Sequence, residues 1–195
     1  MTAPPALRPG RVHEVGGPAA WAFAAVQAAQ GRGPVLWLRE AWLAEMPNPA
    51  GLAGFFDPAR LLLAQTRNQT DTLAVAEEAL RDGTVPFVVI DITQPLGLTE
   101  GRRLQLAARD GQATGLCLIP EGAGSNAAET RWLASPLYDP APPSGGADST
   151  LMRWELKKNK SGTSGLWDVR WDAATHRLDV VSPPGERPQP AGPPG

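Results

Sequence analysis

Cysteine and histidine are nearly missing from this chain, which carries one cysteine, Cys117, and two histidines, His13 and His176, far apart in sequence. One thiol can form neither an internal disulfide nor a thiolate cluster for zinc, and two distant histidines exclude a His-rich metal site. A single catalytic histidine is not excluded on that ground. Cys117 lies inside the apolar run Gly-Leu-Cys-Leu-Ile at 115–119, which fits a core thiol in a reducing compartment. No metal and no cofactor is expected. Net charge is also small, formally -2, so nothing draws the whole chain to nucleic acid or to an anionic membrane and any DNA contact has to be local. Nowhere do roughly 18 uninterrupted apolar residues occur, and the opening Met-Thr-Ala-Pro-Pro-Ala-Leu-Arg-Pro holds no basic segment leading into an apolar one. The expectation is a soluble, cytoplasmic protein.

What the chain has is enough apolar content for one core: 195 residues, 42% hydrophobic. Glycine and proline contribute 21 residues each, many at the two ends and in one internal loop. Residues 1–10 are therefore expected to be a disordered N-terminus, 11–181 a single core domain, and 182–195 a disordered proline-rich tail. Within the core, 11–15 read as a short strand, followed by a Gly-Gly-Pro turn and an alanine-rich helix over 19–30 with Pro18 at its first turn. Residues 35–38 form a buried strand, 60–65 another, and a helix follows with Thr70 as N-cap and Gly83 as its end. The segment 87–91, Phe-Val-Val-Ile-Asp, is the most strand-like in the chain. A second amphipathic helix opens at Thr99 and stops at Gly111, with a strand over 114–119 after it. Short apolar strands alternating with helices mean a parallel sheet covered by helices. After the turn-forming stretch 139–148 the period becomes two: Met152, Trp154 and Leu156 alternate with charges, as do Trp167, Val169 and Trp171, with a weaker strand near Leu178 and Val180. This part predicts an antiparallel meander added to the sheet edge.

A strand that runs through glycines into a helix is the place for a phosphate cradle, GxxxxGK[ST]. The window here reads Gly17-Pro-Ala-Ala-Trp-Ala22-Phe23-Ala24. Gly17 keeps the first position, but Ala22 stands for the second glycine, Phe23 for the lysine that would neutralise phosphate, and Ala24 for the hydroxyl that would ligate magnesium. Asp91, at the end of its apolar strand, occupies the place of a magnesium-associated acid, and with no phosphate-bound metal to serve it reads as a relic or structural acid. Lys157, Lys158 and Lys160, with Arg153 and Arg170 near them, make the densest basic cluster and a candidate contact for DNA or an acidic partner. Trp42 and Trp132 fall in or near loops, where an aromatic side chain can anchor a partner or stack on a base; core packing is the leading reading for both, and Trp132 is carried as a candidate contact.

The chain resembles the RecA-like mutagenesis proteins of the ImuA family, distant relatives of the cell-division inhibitor SulA. The resemblance is carried, over roughly 12–171, by His-Glu-Val-Gly-Gly-Pro at 13–18, Gly-Pro-Val-Leu-Trp at 33–37, Asp-Pro-Ala-Arg-Leu-Leu-Leu at 57–63, Glu-Glu-Ala-Leu at 77–80 with Val-Ile-Asp at 89–91, Thr-Gly-Leu at 114–116 and Glu-Thr-Arg-Trp at 129–132. Lys158-Asn159-Lys160 matches a Lys-Asn-Lys stretch that RecA carries after a strand. The resemblance implies an α/β RecA-like core, a mostly parallel sheet with flanking helices and a C-terminal antiparallel extension. RecA's water-activating glutamate falls near Thr70 here, with Asp71 beside it, and RecA's N-terminal oligomerisation helix and C-terminal domain have no counterpart. The function implied is that of a non-catalytic adaptor in SOS-induced DNA-damage mutagenesis, or translesion synthesis. Its implied partners are an inactive Y-family-like polymerase relative called ImuB, an error-prone replicative-type polymerase and RecA, with DNA as a further candidate. The alternatives are a SulA-like cell-division inhibitor and a residual ATPase.

Overall fold

The computed structural model describes residues 3–139 and 150–181. The expected tail from 182 lies outside them, as does the expected loop over 139–148 apart from Asp139. Among the described residues nine strands form one sheet in the order β3-β2-β4-β5-β1-β6-β7-β8-β9. Strands β1 (Val12–Gly16), β2 (Val35–Glu40), β3 (Leu61–Thr66), β4 (Phe87–Asp91), β5 (Thr114–Leu118) and β6 (Thr130–Pro136) run parallel. Strands β7 (Leu151–Asn159), β8 (Gly165–Asp172) and β9 (Arg177–Val180) continue the sheet antiparallel.

Helix α1 (Ala20–Gln30) packs on one face over Val15, Trp37, Val89 and Leu116 and over a tryptophan-rich core from β6, β7 and β8. A short helix α2 (Pro49–Leu52) and a 3-10 turn (Pro58–Arg60) close the same side through Leu52 and Phe56. Helices α3 (Gln69–Asp82) and α4 (Leu98–Gly111) cover the other face, where Leu80 and Leu104 meet Leu38, Val88, Ile90 and Cys117. The inner parallel strands β2, β4 and β5 are thus sandwiched, which is why they read as apolar runs, whereas the edge strand β3 exposes Leu62 and Leu63 and β7 and β8 alternate because one of their faces meets water.

Helix ends follow side-chain chemistry more closely than composition. Helix α3 is capped by Asn68, whose Oδ1 accepts the Asp71 amide at 2.9 Å, and not by Thr70, which lies inside the first turn. Gly83 ends it in the left-handed conformation at φ 73°. A Cβ on Gly83 would come within 2.2 Å of the Gly111 carbonyl oxygen, and one on Gly111 within 2.0 Å of the Leu80 oxygen. The C-terminal ends of α3 and α4 meet at backbone contact, so Gly111 stays helical and Gln112, at φ 53°, makes the turn expected of it. Helix α4 opens one residue earlier than expected, at Leu98 after Gly97.

Of the expected disordered segment 1–10, residues 1 and 2 lie outside the described residues; within 3–10, Leu7 packs on the core, Arg8 Nη1 lies 2.8 Å from Glu129 Oε1 and the Gly10 amide donates to the Ala113 carbonyl at 3.1 Å. Residues 130–136, whose sequence carries no strand pattern, form the strand that joins the parallel and antiparallel halves.

Candidate functional site

The turn from β1 into α1 is the position of a phosphate cradle, and two of its amides, those of Ala19 and Ala20, are already engaged. Gly17 sits at φ 93°, and a Cβ there would lie 2.4 Å from the Ala134 carbonyl oxygen and 2.8 Å from Leu133 Cδ1. Strand β6 therefore presses against the turn where a cradle would open. The Ala19 amide donates to that same Ala134 carbonyl at 3.0 Å, the Ala20 amide donates to the Gly17 carbonyl at 3.0 Å, and Pro18 has no amide hydrogen. Phe23, standing where lysine would reach phosphate, points into the core: it is buried, with ring centroids 4.5 Å from Trp154 and 5.5 Å from Trp132. Ala24 is buried and Ala22 is half-buried against the same core.

Asp91 ends β4 beside a buried cation. Its Oδ2 lies 3.6 Å from Arg39 Nη2, and Arg39 is 2% exposed with its guanidinium 5.4 Å from the Trp21 ring centroid. Burial raises the Asp91 carboxyl above its ordinary range, and Arg39 offsets part of that shift. Arg39 Nε and Nη1 have no hydrogen-bond partner among the described residues, so the Trp21 face and Asp91 carry the compensation for this charge.

The basic cluster expected over 153–170 divides into two parts. Arg153 pairs with Asp168 through two bonds of 2.7 and 2.9 Å across β7 and β8, Lys157 pairs with Glu155 at 2.6 Å, and Arg170 pairs with Asp139 at 2.8 Å. Those three cations are locally neutralised. A bulge opposite Arg131 and Trp132 leaves Lys157 as the extra residue, and beyond it Lys158 and Lys160 turn toward the loop between β5 and β6. Lys158 Nζ donates to the Asn126 carbonyl at 2.7 Å, and Lys160 Nζ to the Ala127 carbonyl at 2.7 Å. Burial, then the charges of Arg131 and Lys160, lower the Lys158 pKa.

Trp132, a candidate contact for which core packing is the leading reading, is core: it is 2% exposed and lies in β6 and not in or near a loop, donating from Nε1 to Thr130 Oγ1 at 2.9 Å. Its strand interleaves Thr130, Trp132 and Ala134 on the core face with Arg131 and Leu133, and so few apolar residues hide the alternation. Of the two tryptophans Trp42 is the exposed one, at 65%, with Nε1 held by Glu40.

Two buried acids missed from sequence organise the loop. Glu14, inside β1, takes the Ser125 amide on Oε1 at 2.8 Å and Arg131 Nε on Oε2 at 2.7 Å. Glu129 holds Arg8 at 2.8 Å and Arg11 at 3.6 Å. The available signal was a glutamate in the middle of the apolar run Val-His-Glu-Val, since an acid in a buried strand needs a fixed partner.

Among the described residues no helix is long and apolar enough to cross a membrane and no group of metal-binding side chains is present. No family model matches the chain. Over 156 residues, 74% of its length, it is 30% identical to Protein ImuA of two strains of Caulobacter vibrioides, NA1000 and ATCC 19089, and it spans 63% of the length of those relatives. Among solved structures it is similar to the RadB recombinase, with a TM-score of 0.62, 16% identity and coverage of 90% of this chain and 93% of that one, a likeness of fold. The chain is a relative of ImuA built on the RecA-like fold.

Proposed function

We propose that this chain is a non-catalytic adaptor in DNA-damage-induced mutagenesis, acting by bringing partners together and not by hydrolysing ATP. The similarity to ImuA supports the setting. The single observation that supports the absence of catalysis is the β1–α1 turn, where the Ala134 carbonyl takes the Ala19 amide and Phe23 lies between two tryptophans. A triphosphate placed there meets a carbonyl oxygen and an aromatic core, and the cation beside Trp21, Arg39, is buried and already set against Asp91. Phosphoryl transfer depends on positioned positive charge at that point. The partners in this reading are an ImuB-like polymerase relative, an error-prone replicative-type polymerase and RecA.

The test has two arms. A fluorescent ATP analogue with magnesium is expected to show no saturable binding up to about millimolar concentration, where a working site binds in the micromolar range. In a strain deleted for the protein, damage-induced mutation frequency is expected to fall and to be restored by the full chain. Nucleotide turnover that disappears in Asp91→Ala overturns the non-catalytic part. Unchanged mutation frequency with filamentous growth on overexpression shifts the reading to a cell-division inhibitor.

A further inference from the structure

A groove of about 500 Å³ lies between α4 and the loop joining β5 to β6. Its apolar lining comes from Leu98 and Leu106, which are 46% and 50% exposed on α4. Asn126, Ala127, Arg102 and Lys160 also line it. Gln105, between these residues, is bound to the β1 backbone, accepting from the Val12 amide and donating to the Val12 carbonyl, so this side of the groove is fixed to the sheet.

The charge balance at the rim is one-sided. Arg102 has no ion-pair partner among the described residues, and Lys158 and Lys160 are held by the carbonyls of residues 125–127 and by no carboxylate. The buried acids behind the loop are already committed, Glu14 to Arg131 and Glu129 to Arg8 and Arg11, and the acids on these two elements with no ion pair among the described residues, Glu100 and Glu121, do not line the groove. A chain with a formal charge of -2 thus concentrates unpaired positive charge beside exposed aliphatic side chains. Isolated exposed leucines are ordinary, but two of them in one groove rimmed by cations form a surface with a defined complement.

We propose that this groove docks a segment of a partner protein in which acidic residues flank aliphatic ones, the leucine-type side chains resting on Leu98 and Leu106 and the carboxylates meeting Arg102 and Lys160. This deepens the adaptor reading, on which it rests, by naming the chemistry of one partner contact. The lining favours a peptide over nucleic acid because it is aliphatic. No aromatic ring lines the groove, and single-stranded nucleic acid is held largely by stacking on such rings. Carbonyl-bound Lys160 is already positioned, so little side-chain freedom is lost when a carboxylate arrives.

The full chain is titrated, by fluorescence anisotropy, with a labelled peptide of four Asp-Leu-Asp repeats, with the same peptide carrying serine for leucine, and with a poly-dT oligonucleotide of equal charge. Saturable binding of the leucine peptide is expected, weakened at least tenfold by the serine replacement, by Leu98→Asp with Leu106→Asp, and by Arg102→Glu with Lys160→Glu. Thermal melts check that these surface variants fold, and Arg153→Glu, toward the opposite end of β7 from Lys158, is the control that leaves binding unchanged. No saturable peptide binding, peptide binding indifferent to the groove variants, or tighter binding of the oligonucleotide overturns the proposal. The mutagenesis assay separates the two levels: groove variants that complement fully remove the groove and leave the adaptor, whereas failure of the unmodified chain to complement removes the adaptor itself.

Discussion

Lowering the pH from 7 to 5 should destabilise this protein through one imidazole. His13 is fully buried in β1, with Nδ1 2.7 Å from Thr130 Oγ1 and Nε2 3.2 Å from the Arg8 carbonyl oxygen. A carbonyl only accepts, so Nε2 carries the hydrogen. Thr130 Oγ1 already accepts from Trp132 Nε1, which leaves its own hydrogen free to donate to Nδ1. The neutral ring is thereby satisfied on both sides, and a second ring hydrogen would face a donor. Burial pulls the pKa from 6.5 to about 4, against the upward pull of the Arg8 carbonyl and Glu129 and with help from the charges of Arg8 and Arg11. The unfolded chain takes up a proton at its ordinary value and the folded one does not, so stability is complete above pH 6.5 and declines as the pH falls toward 4. A shift of that size corresponds to about 3 kcal/mol in full, of which about 2 kcal/mol is lost by pH 5. Chemical denaturation of the unmodified protein and of His13→Gln at pH 7.5 and pH 5 isolates this contribution, because the carboxylates common to both cancel in the difference. The advantage of histidine over glutamine should shrink by about 2 kcal/mol across that range. A difference that does not change with pH, or an imidazole NMR titration with its midpoint near 6.5, refutes the argument.

Phe23→Ala should cost about 3–5 kcal/mol, read by denaturation, because the ring fills the space between Trp132 and Trp154. Gly17→Ala should cost about 2 kcal/mol or more, since the new methyl group meets the Ala134 carbonyl from a left-handed backbone; a melting temperature unchanged in that variant would mean the turn is free to move away from β6. Cys117 is buried and burial pushes its thiol up, so a disulfide-exchange reagent at pH 8 should leave it unmodified until denaturant is added. Glu14→Gln should loosen the loop over 120–129 by removing the acceptor of Arg131, seen as faster amide exchange at Ser125 with β1 itself still protected.

The parallel half of the fold was legible because burial on both faces writes continuous apolar runs, as at 87–91 and 114–118, and β7 and β8 were legible because one wet face writes a strict alternation. β6 was not. It carries Thr-Arg-Trp-Leu-Ala-Ser-Pro, in which a threonine, an alanine and one tryptophan hold the buried positions, so nothing local separates it from a loop. Its identity comes from non-local pairing with β1 on one side and β7 on the other.

That one missing strand accounts for most of the misjudged chemistry. With β6 unseen, Trp132 was assigned to a loop, and the turn at Gly17 was known only as a motif with wrong letters. Once β6 is in place the two observations become one: the strand that buries Trp132 also delivers the Ala134 carbonyl to the Ala19 amide. The changed letters and the changed backbone then support each other. A lysine restored at Phe23 would enter a closed aromatic core, and a hydroxyl restored at Ala24 would be buried with it, while the Ala19 amide would still donate to β6. Phe23→Lys with Ala24→Thr is therefore expected to unfold the protein before it binds any nucleotide, because a lysine ammonium buried among tryptophans costs several kcal/mol. A folded double variant that binds ATP with magnesium would show that the β1–α1 turn retains a cradle and that only side chains had been lost.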